Sequence, residues 1–193
     1  MIEHHFLNNI FGHTNMTIEE KELVASKFTQ VSFEKNTFLL KEGNIANHYW
    51  FIESGFVRSY VVDTNGDDIC TNFYSMGNIV IDWSSFFLRN PTRENIQALT
   101  DCVCWRLDFD NFQELFNSIK SFREQGRTTL VKSYFDLKRH SIAMIADQAK
   151  ERYLRLIEEK PEIIQNVSLK HIATYLGITD TSLSRIRKEI SKT

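Results

Sequence analysis

Ser168–Ile190 reads SLKHIATYLGITDTSLSRIRKEI, and the reading of the whole chain turns on this stretch. Ser168 offers a side-chain oxygen that can cap a helix whose inward face is Leu169, Ile172, Ala173 and Leu176, spaced i, i+3, i+4 and i+7. Gly177 follows and permits a left-handed turn that a side chain would disfavour. Thr179 then caps a second helix with Leu183, Ile186 and Ile190 turned inward, and the small Ala173 lets the two helices cross at close range. Two short helices joined by a glycine turn form a helix-turn-helix.

The outward face of the second helix holds Thr181, Ser182, Arg185 and Lys188 or Glu189. In a DNA-binding module that face meets base edges. Arg185 suits base reading best, because its planar fork donates two hydrogen bonds to guanine O6 and N7, worth about 1–3 kcal/mol of discrimination. Ser182 can bond a base or a phosphate, while Lys170, His171, Arg187 and Lys188 suit phosphates, which position a module without specifying sequence. The plainer alternative is a helical hairpin with a solvated charged face. The ordered cap, small residue, glycine and second cap favour DNA binding.

Upstream, the hydrophobic period divides the chain. Thr17 and Glu20 form a T-x-x-E capping box ahead of Leu23, Val24 and Phe28 at helical spacing. From Val31 the period becomes two: Val31 and Phe33, Phe38 and Leu40, then Val57, Ser59 and Val61. Gly43 and Gly55 interrupt these runs, and Asn65-Gly66 between Val62 and Ile69 is a hairpin signal. Strand character returns over Ile96–Leu107 around the turn residue Asp101, and closely spaced strands of this kind predict a sandwich or barrel. Asp108 caps a helix carrying Phe112, Leu115 and Phe116, and a helical period then runs towards Ile145 without a proline. In that long helix Leu130, Leu137 and Met144 recur every seven residues, with Tyr134 and Ser141 at the other seam position of a two-stranded coil. Periodicity alone leaves an ordinary amphipathic helix packed on its own domain as the alternative. A further helix, Asp147–Glu159, is expected to close at Pro161.

Composition narrows the function classes. With 193 residues and 42% hydrophobic content the chain can bury a real core. A net charge of −2 argues against a non-specific nucleic-acid coat, yet from Pro161 to Thr193 five Lys and Arg face three Asp and Glu, a local excess that suits DNA. No apolar run approaches the roughly 20 residues of a membrane span and the N-terminus lacks the form of a signal peptide, so no membrane contact and a cytoplasmic location are expected. Cys70, Cys102 and Cys104 lack zinc-site spacing and read as free thiols.

LKHIATYLGITDTSLSRIRK, with ERYLRLIEEKPEIIQ before it, resembles the cyclic-AMP receptor protein and FNR (Crp/Fnr) family of transcription regulators. IQALTDCVCWRL resembles the end of that family's β-roll, and the helix near Ile119–Ile145 its dimerisation helix. The resemblance implies an α+β chain: residues 1–118 an antiparallel β-roll sensor (a cyclic-nucleotide-binding-like jelly roll), 119–146 a dimerisation helix, and 147–193 a helix-turn-helix DNA-binding domain. It implies a homodimer reading a two-fold operator in double-stranded DNA, with RNA polymerase as a further partner. Ser182 and Arg185 match family recognition positions, and Leu130, Tyr134, Leu137, Ser141 and Met144 become the expected dimer interface. Asp180-Thr181 stands where many relatives carry a base-contacting glutamate, so operator preference is expected to differ.

The sensor departs from the family further. MGNIVIDWSSFFLRNPTRENIQAL stands where cyclic-nucleotide binders carry Gly-Glu for the ribose and Arg-Ser-Ala for the cyclic phosphate. Here Asn78 follows Gly77, and the Arg-Ser-Ala position reads Glu94 or Asn95, with Arg93 out of register. A carboxylate facing a phosphate repels it, so tight cyclic-AMP binding is not expected and no cofactor is implied. Gly77, Asn78, Asp82, Arg93 and Asn95 remain the candidate effector-pocket residues. An FNR-like iron–sulfur cluster needs four cysteines, and His4, His5 and His13 are the only histidines near the start that a haem reading could use. The rival functions are a cupin-like metal enzyme and a protein-interaction module. No H-x-H, G-x-S-x-G, H-E-x-x-H or phosphate loop supports catalysis, and no metal ligand set is identified.

Overall fold

The computed structural model describes Phe11 and residues 14–191; His4, His5, His13 and Lys192 lie outside the described residues. Helix α1 (Ile18–Lys27) opens with the expected capping box, Glu20 N–H donating to Thr17 Oγ1 and Thr17 N–H to Glu20 Oε2. Eight strands follow: β1 (Thr29–Phe33), β2 (Phe38–Leu40), β3 (His48–Ser54), β4 (Val57–Val62), β5 (Asp68–Tyr74), β6 (Ile79–Val80), β7 (Asn95–Ala98) and β8 (Cys102–Asp108), with α2 (Trp83–Leu88) between β6 and β7. They form two four-stranded antiparallel sheets, β1-β8-β3-β6 and β2-β7-β4-β5. Their inner faces enclose a core that includes Phe51, Ile52, Val57, Ile96, Cys104 and Leu107.

The alternation around Asp101 correctly signals two strands, but β7 and β8 belong to different sheets, as do β3 and β4. The two crossings brace each other. Phe56 N–H donates to Thr100 Oγ1 at 3.0 Å, and Leu99 N–H to Phe56 O at 2.7 Å. Gly55 turns the first crossing at φ +95°, and a Cβ there would lie 2.5 Å from Asp101 O and 2.9 Å from Cys102 Cα. Only glycine satisfies both demands.

The hairpin signalled by Asn65-Gly66 is present, β4 pairing antiparallel with β5, and its turn is a five-residue loop, since Val62 pairs with Asp68. Asp63 organises that loop by accepting the Asn65 and Asp67 backbone N–H groups, and those bonds hold its carboxyl below the usual range. Pro161 does not merely end a helix: α5 (Ala149–Glu159) stops before it, and Pro161 is the first residue of α6 (Pro161–Asn166), where its missing N–H costs nothing.

Beyond the β-roll, Asp108 caps α3 (Phe109–Ser118) through the Asn111 N–H at 2.8 Å. The 27-residue helix α4 (Lys120–Ala146) runs on to α5 and α6, then α7 (Leu169–Tyr175) and α8 (Asp180–Ile190). Cys70, Cys102 and Cys104 are free and buried, and burial pushes the Cys104 thiol up to about 12.

The crossing geometry makes a quantitative prediction. Gly55→Ala combines a disfavoured φ with overlap on backbone atoms and should cost about 2–4 kcal/mol in urea denaturation. Gly66→Ala, at φ +87° with nothing within 4 Å of its Cβ, should cost about 1 kcal/mol. Equal losses at the two sites would refute the crossing argument.

Candidate nucleic-acid interface and sensor cavity

Each helix of the C-terminal pair is capped as its sequence predicts. Ser168 Oγ accepts from His171 N–H at 3.3 Å, and Thr179 Oγ1 from Ser182 N–H at 3.2 Å. Gly177 links them at φ +66°, with Ile178 N–H returning to Ala173 O at 3.0 Å. Ile172, Ala173 and Leu183 are fully buried where the helices meet.

This packing turns Thr181, Arg185, Arg187 and Lys188 of α8 to solvent, with Lys170 exposed at the start of α7. Ser182 is half-buried and its hydroxyl lies 3.0 Å from Thr179 Oγ1, so it is partly engaged in the cap. Glu189 pairs with Lys150 of α5 at 2.5 Å. Thr181, Arg185 and Lys188, spaced i, i+4 and i+7, share one face with a polar leading edge, the chemistry needed to meet phosphates and base edges together, while Arg187 is exposed on another side of α8.

His171 is placed differently from expectation. It is half-buried towards the β-roll, its Nδ1 has no hydrogen-bond partner among the described residues, and burial, helped by the Arg58 charge, lowers its pKa. It belongs to the seat of α7 on β5 rather than to the phosphate-facing surface. In that seat Cys70 N–H donates to Thr174 Oγ1 at 3.2 Å, and the Phe73 and Tyr175 ring centroids are 5.1 Å apart. Lys160 Nζ donates to Asn72 Oδ1 and Phe73 O, both at 3.3 Å, and the Ser75 hydroxyl donates to Glu162 Oε1 at 3.1 Å. Behind the seat Arg58 is 5% exposed, bonded to Asp68 at 2.7 Å and lying 3.9 Å over the Tyr60 ring. Sequence reading missed Arg58, because a lone arginine in a strand carries no local signal of burial.

The long helix has two faces. Phe122 and Ala143 are buried, whereas Leu130, Tyr134 and Leu137 of the expected seam are exposed, with Ser141 beside them. The exposed apolar face is wider than the heptad suggested, adding Val131, Phe135, Ile142 and Ile145, the last 86% exposed. Met144 has a second task, since its Cε lies 2.5 Å from where a Gly177 Cβ would be.

Between the β-roll, α4 and the C-terminal helices lies a cavity of about 930 Å³. Of the five candidate effector-pocket residues, Gly77, Asn78 and Asp82 line it. Arg93 and Asn95 do not: Arg93 is exposed, and buried Asn95 spends its Oδ1 on Glu42 N–H at 3.1 Å. The strand alternates there, so Glu94 is the residue that enters the cavity. Among the described residues no three His, Cys, Asp or Glu side chains converge as a metal site, and no helix is long and apolar enough to cross a membrane.

Comparison with known proteins agrees with this geometry. Residues 30–118 match the model of the cyclic nucleotide-binding domain. A cAMP-dependent protein kinase regulatory subunit from Candida albicans is 28% identical over 56% of this chain and 22% of its own length. The anaerobic regulatory protein of Haemophilus influenzae is 23% identical over 82% of this chain and 65% of its own. The chain thus spans less than two thirds of the length of either. FixK2 from Bradyrhizobium japonicum superposes with a TM-score of 0.75 at 16% identity, covering 86% of this chain and 85% of that one. The c-di-GMP responsive global regulator CLP from Xanthomonas campestris does so with 0.71 at 16% identity, over 91% and 92% of the two chains. Residues 30–118 are thus similar to cyclic nucleotide-binding domains, and the order of β-roll, long helix and capped helix-turn-helix is a fold this chain shares with these solved regulator structures.

Proposed function

We propose that the chain is a sequence-specific DNA-binding transcription regulator that acts as a homodimer in the cytoplasm, with RNA polymerase as a partner where it activates. The observation that carries the reading is the solvent-facing row Thr181, Arg185 and Lys188 on a helix whose other side is locked into a helix-turn-helix. Lys170, Arg187 and Lys188 serve the phosphates, and Arg185 the bases. An enzyme reading has no convergent ligand set among the described residues to support it.

The dimer reading rests on α4. A helix exposing Leu137 at 66%, Phe135 at 63% and Ile145 at 86% presents an apolar band that a two-stranded coil would cover. Two copies related by a two-fold axis set two α8 helices against successive major grooves, which makes the operator a palindrome. Tight cyclic-AMP binding is not part of this reading, since Glu94 lines the cavity and a carboxylate repels a phosphate.

Selection of bound sequences from random duplex DNA at two salt concentrations tests the reading. The native protein should return a palindrome, and Arg185→Ala should lose about 1–3 kcal/mol of discrimination at one position of each half-site. Lys188→Ala should weaken all sequences alike and flatten the salt dependence by about one contact. An unchanged site preference in the arginine variant would overturn the assignment.

Phe135→Lys combined with Ile145→Lys should halve the mass seen in sedimentation velocity and leave helix content intact, since both side chains are already exposed within one chain. A dimer that persists would place the interface elsewhere.

A further inference from the structure

The sensor cavity holds two carboxylates that no cation answers. Glu94 Oε1 accepts the Thr71 hydroxyl at 2.6 Å; burial raises its pKa, and neighbouring Asp82 acts in the same direction. Asp82 accepts Ser85 N–H at 3.1 Å and the Thr92 hydroxyl at 2.6 Å. Thr92 joins the two acids, because its Oγ1 also accepts the Glu94 N–H at 2.9 Å. Among the described residues neither carboxylate has an ion pair.

The cations of the cavity lie towards α4 and the C-terminal helices, and most are already engaged. Arg139 pairs with Asp136 at 3.1 Å and Glu159 at 3.2 Å, and Arg155 with Asp147 at 2.6 Å. Arg152 donates to the Asp147 and Leu176 carbonyls, and Lys160 to Asn72 and Phe73. Lys132 lines the same helical side, whereas at the β-roll side Asp82 and Glu94 stand without an ion pair among the described residues, so the negative charge is local to that end. Phe51, Tyr74, Ile79, Ile81 and Trp83 surround it with apolar and aromatic surface. A buried carboxylate with no counter-charge is costly, and aromatic faces attract cations, so both features favour the same kind of guest.

We propose that this cavity binds a small organic cation, a protonated amine or amidine on an apolar body, with its charged end at Glu94 and Asp82 and its body against Trp83 and Tyr74. The inference rests on reading residues 30–118 as a ligand-sensing domain, and it is independent of whether α8 reads DNA.

Thermal unfolding of the full chain tests it with phenethylamine as the probe and with 2-phenylethanol, phenylacetate, cyclic AMP and magnesium as matched arms, all at millimolar concentration. Phenethylamine should raise Tm saturably while the neutral, anionic and metal arms do not, and Glu94→Gln should weaken the apparent affinity about tenfold, the loss of one charged contact. Glu94→Arg should reverse the preference and respond to phenylacetate. Stabilisation by phenylacetate, cyclic AMP or magnesium in the native protein would overturn the proposal. So would an equal response to amine and alcohol, an amine response that survives Glu94→Gln, or no amine response at all. None of these results bears on the DNA selection, so the two readings fail separately.

Discussion

The apolar cluster shared between strand β5 and the C-terminal helices is the contact on which the rest of the arrangement depends. Helix α7 has seven residues and α8 eleven, lengths at which a helix in water is marginal alone. They persist because Ile172, Ala173, Leu176 and Leu183 are buried together with Tyr153, Leu156 and Ile163, and because Tyr60, Cys70 and Phe73 of the β-roll join the same cluster. The outward face of α8 is therefore defined by what its inner face must touch. Arg185 reaches solvent because Leu183 is buried and Ile186 half-buried on the opposite side.

Polar groups refine the seat more than they stabilise it. The Thr174 bond fixes which part of α7 meets β5 and the Lys160 bonds fix the α5–α6 junction on the same strand, while a bond of this kind contributes only on the order of 1 kcal/mol net. Arg58 is the exception. A guanidinium at 5% exposure is tolerable only with its Asp68 and Gln97 bonds and its aromatic platform intact, so it holds the β4–β5 surface in one shape under the docked helices.

How much of this could be read in the sequence depended on how local the cause was. Caps at Thr17, Asp108, Ser168 and Thr179 and the glycine turn at Gly177 are written within four residues, and each stands in the structure as read. Strand presence was legible from alternation, but not which sheet received each strand, because the crossings at Gly55 and Asp101 are decided by contacts nearly fifty residues apart. The cavity was half legible. Asp82 and Asn78 lay in the right stretch, yet whether Glu94 or Asn95 faced inward is a matter of strand phase, which the flanking sequence did not settle. His171 was misread for a related reason: its neighbours mark it as a surface residue of α7, and only the docking of α7 on β5 removes it from the phosphate side.

The same strand borders both candidate sites, and that gives the cavity a physical route to α8, the helix proposed to face DNA. Thr71 and Tyr74 of β5 line the cavity, while Cys70 and Phe73 of β5 hold α7. Tyr175 closes the loop: it packs on Phe73, stacks on His140 of α4 at 4.6 Å, and also lines the cavity. An occupant in contact with β5, α4 and Tyr175 at once touches three parts of the structure on which the placement of α7, and through it α8, depends. Under the proposed function such an occupant would change the DNA-bound population only to the extent that it binds one placement of those elements more tightly than another, and DNA would in turn alter its affinity by the same factor. A cavity walled by the sensor alone would lack that lever. Here the wall itself is made partly of the module to be moved.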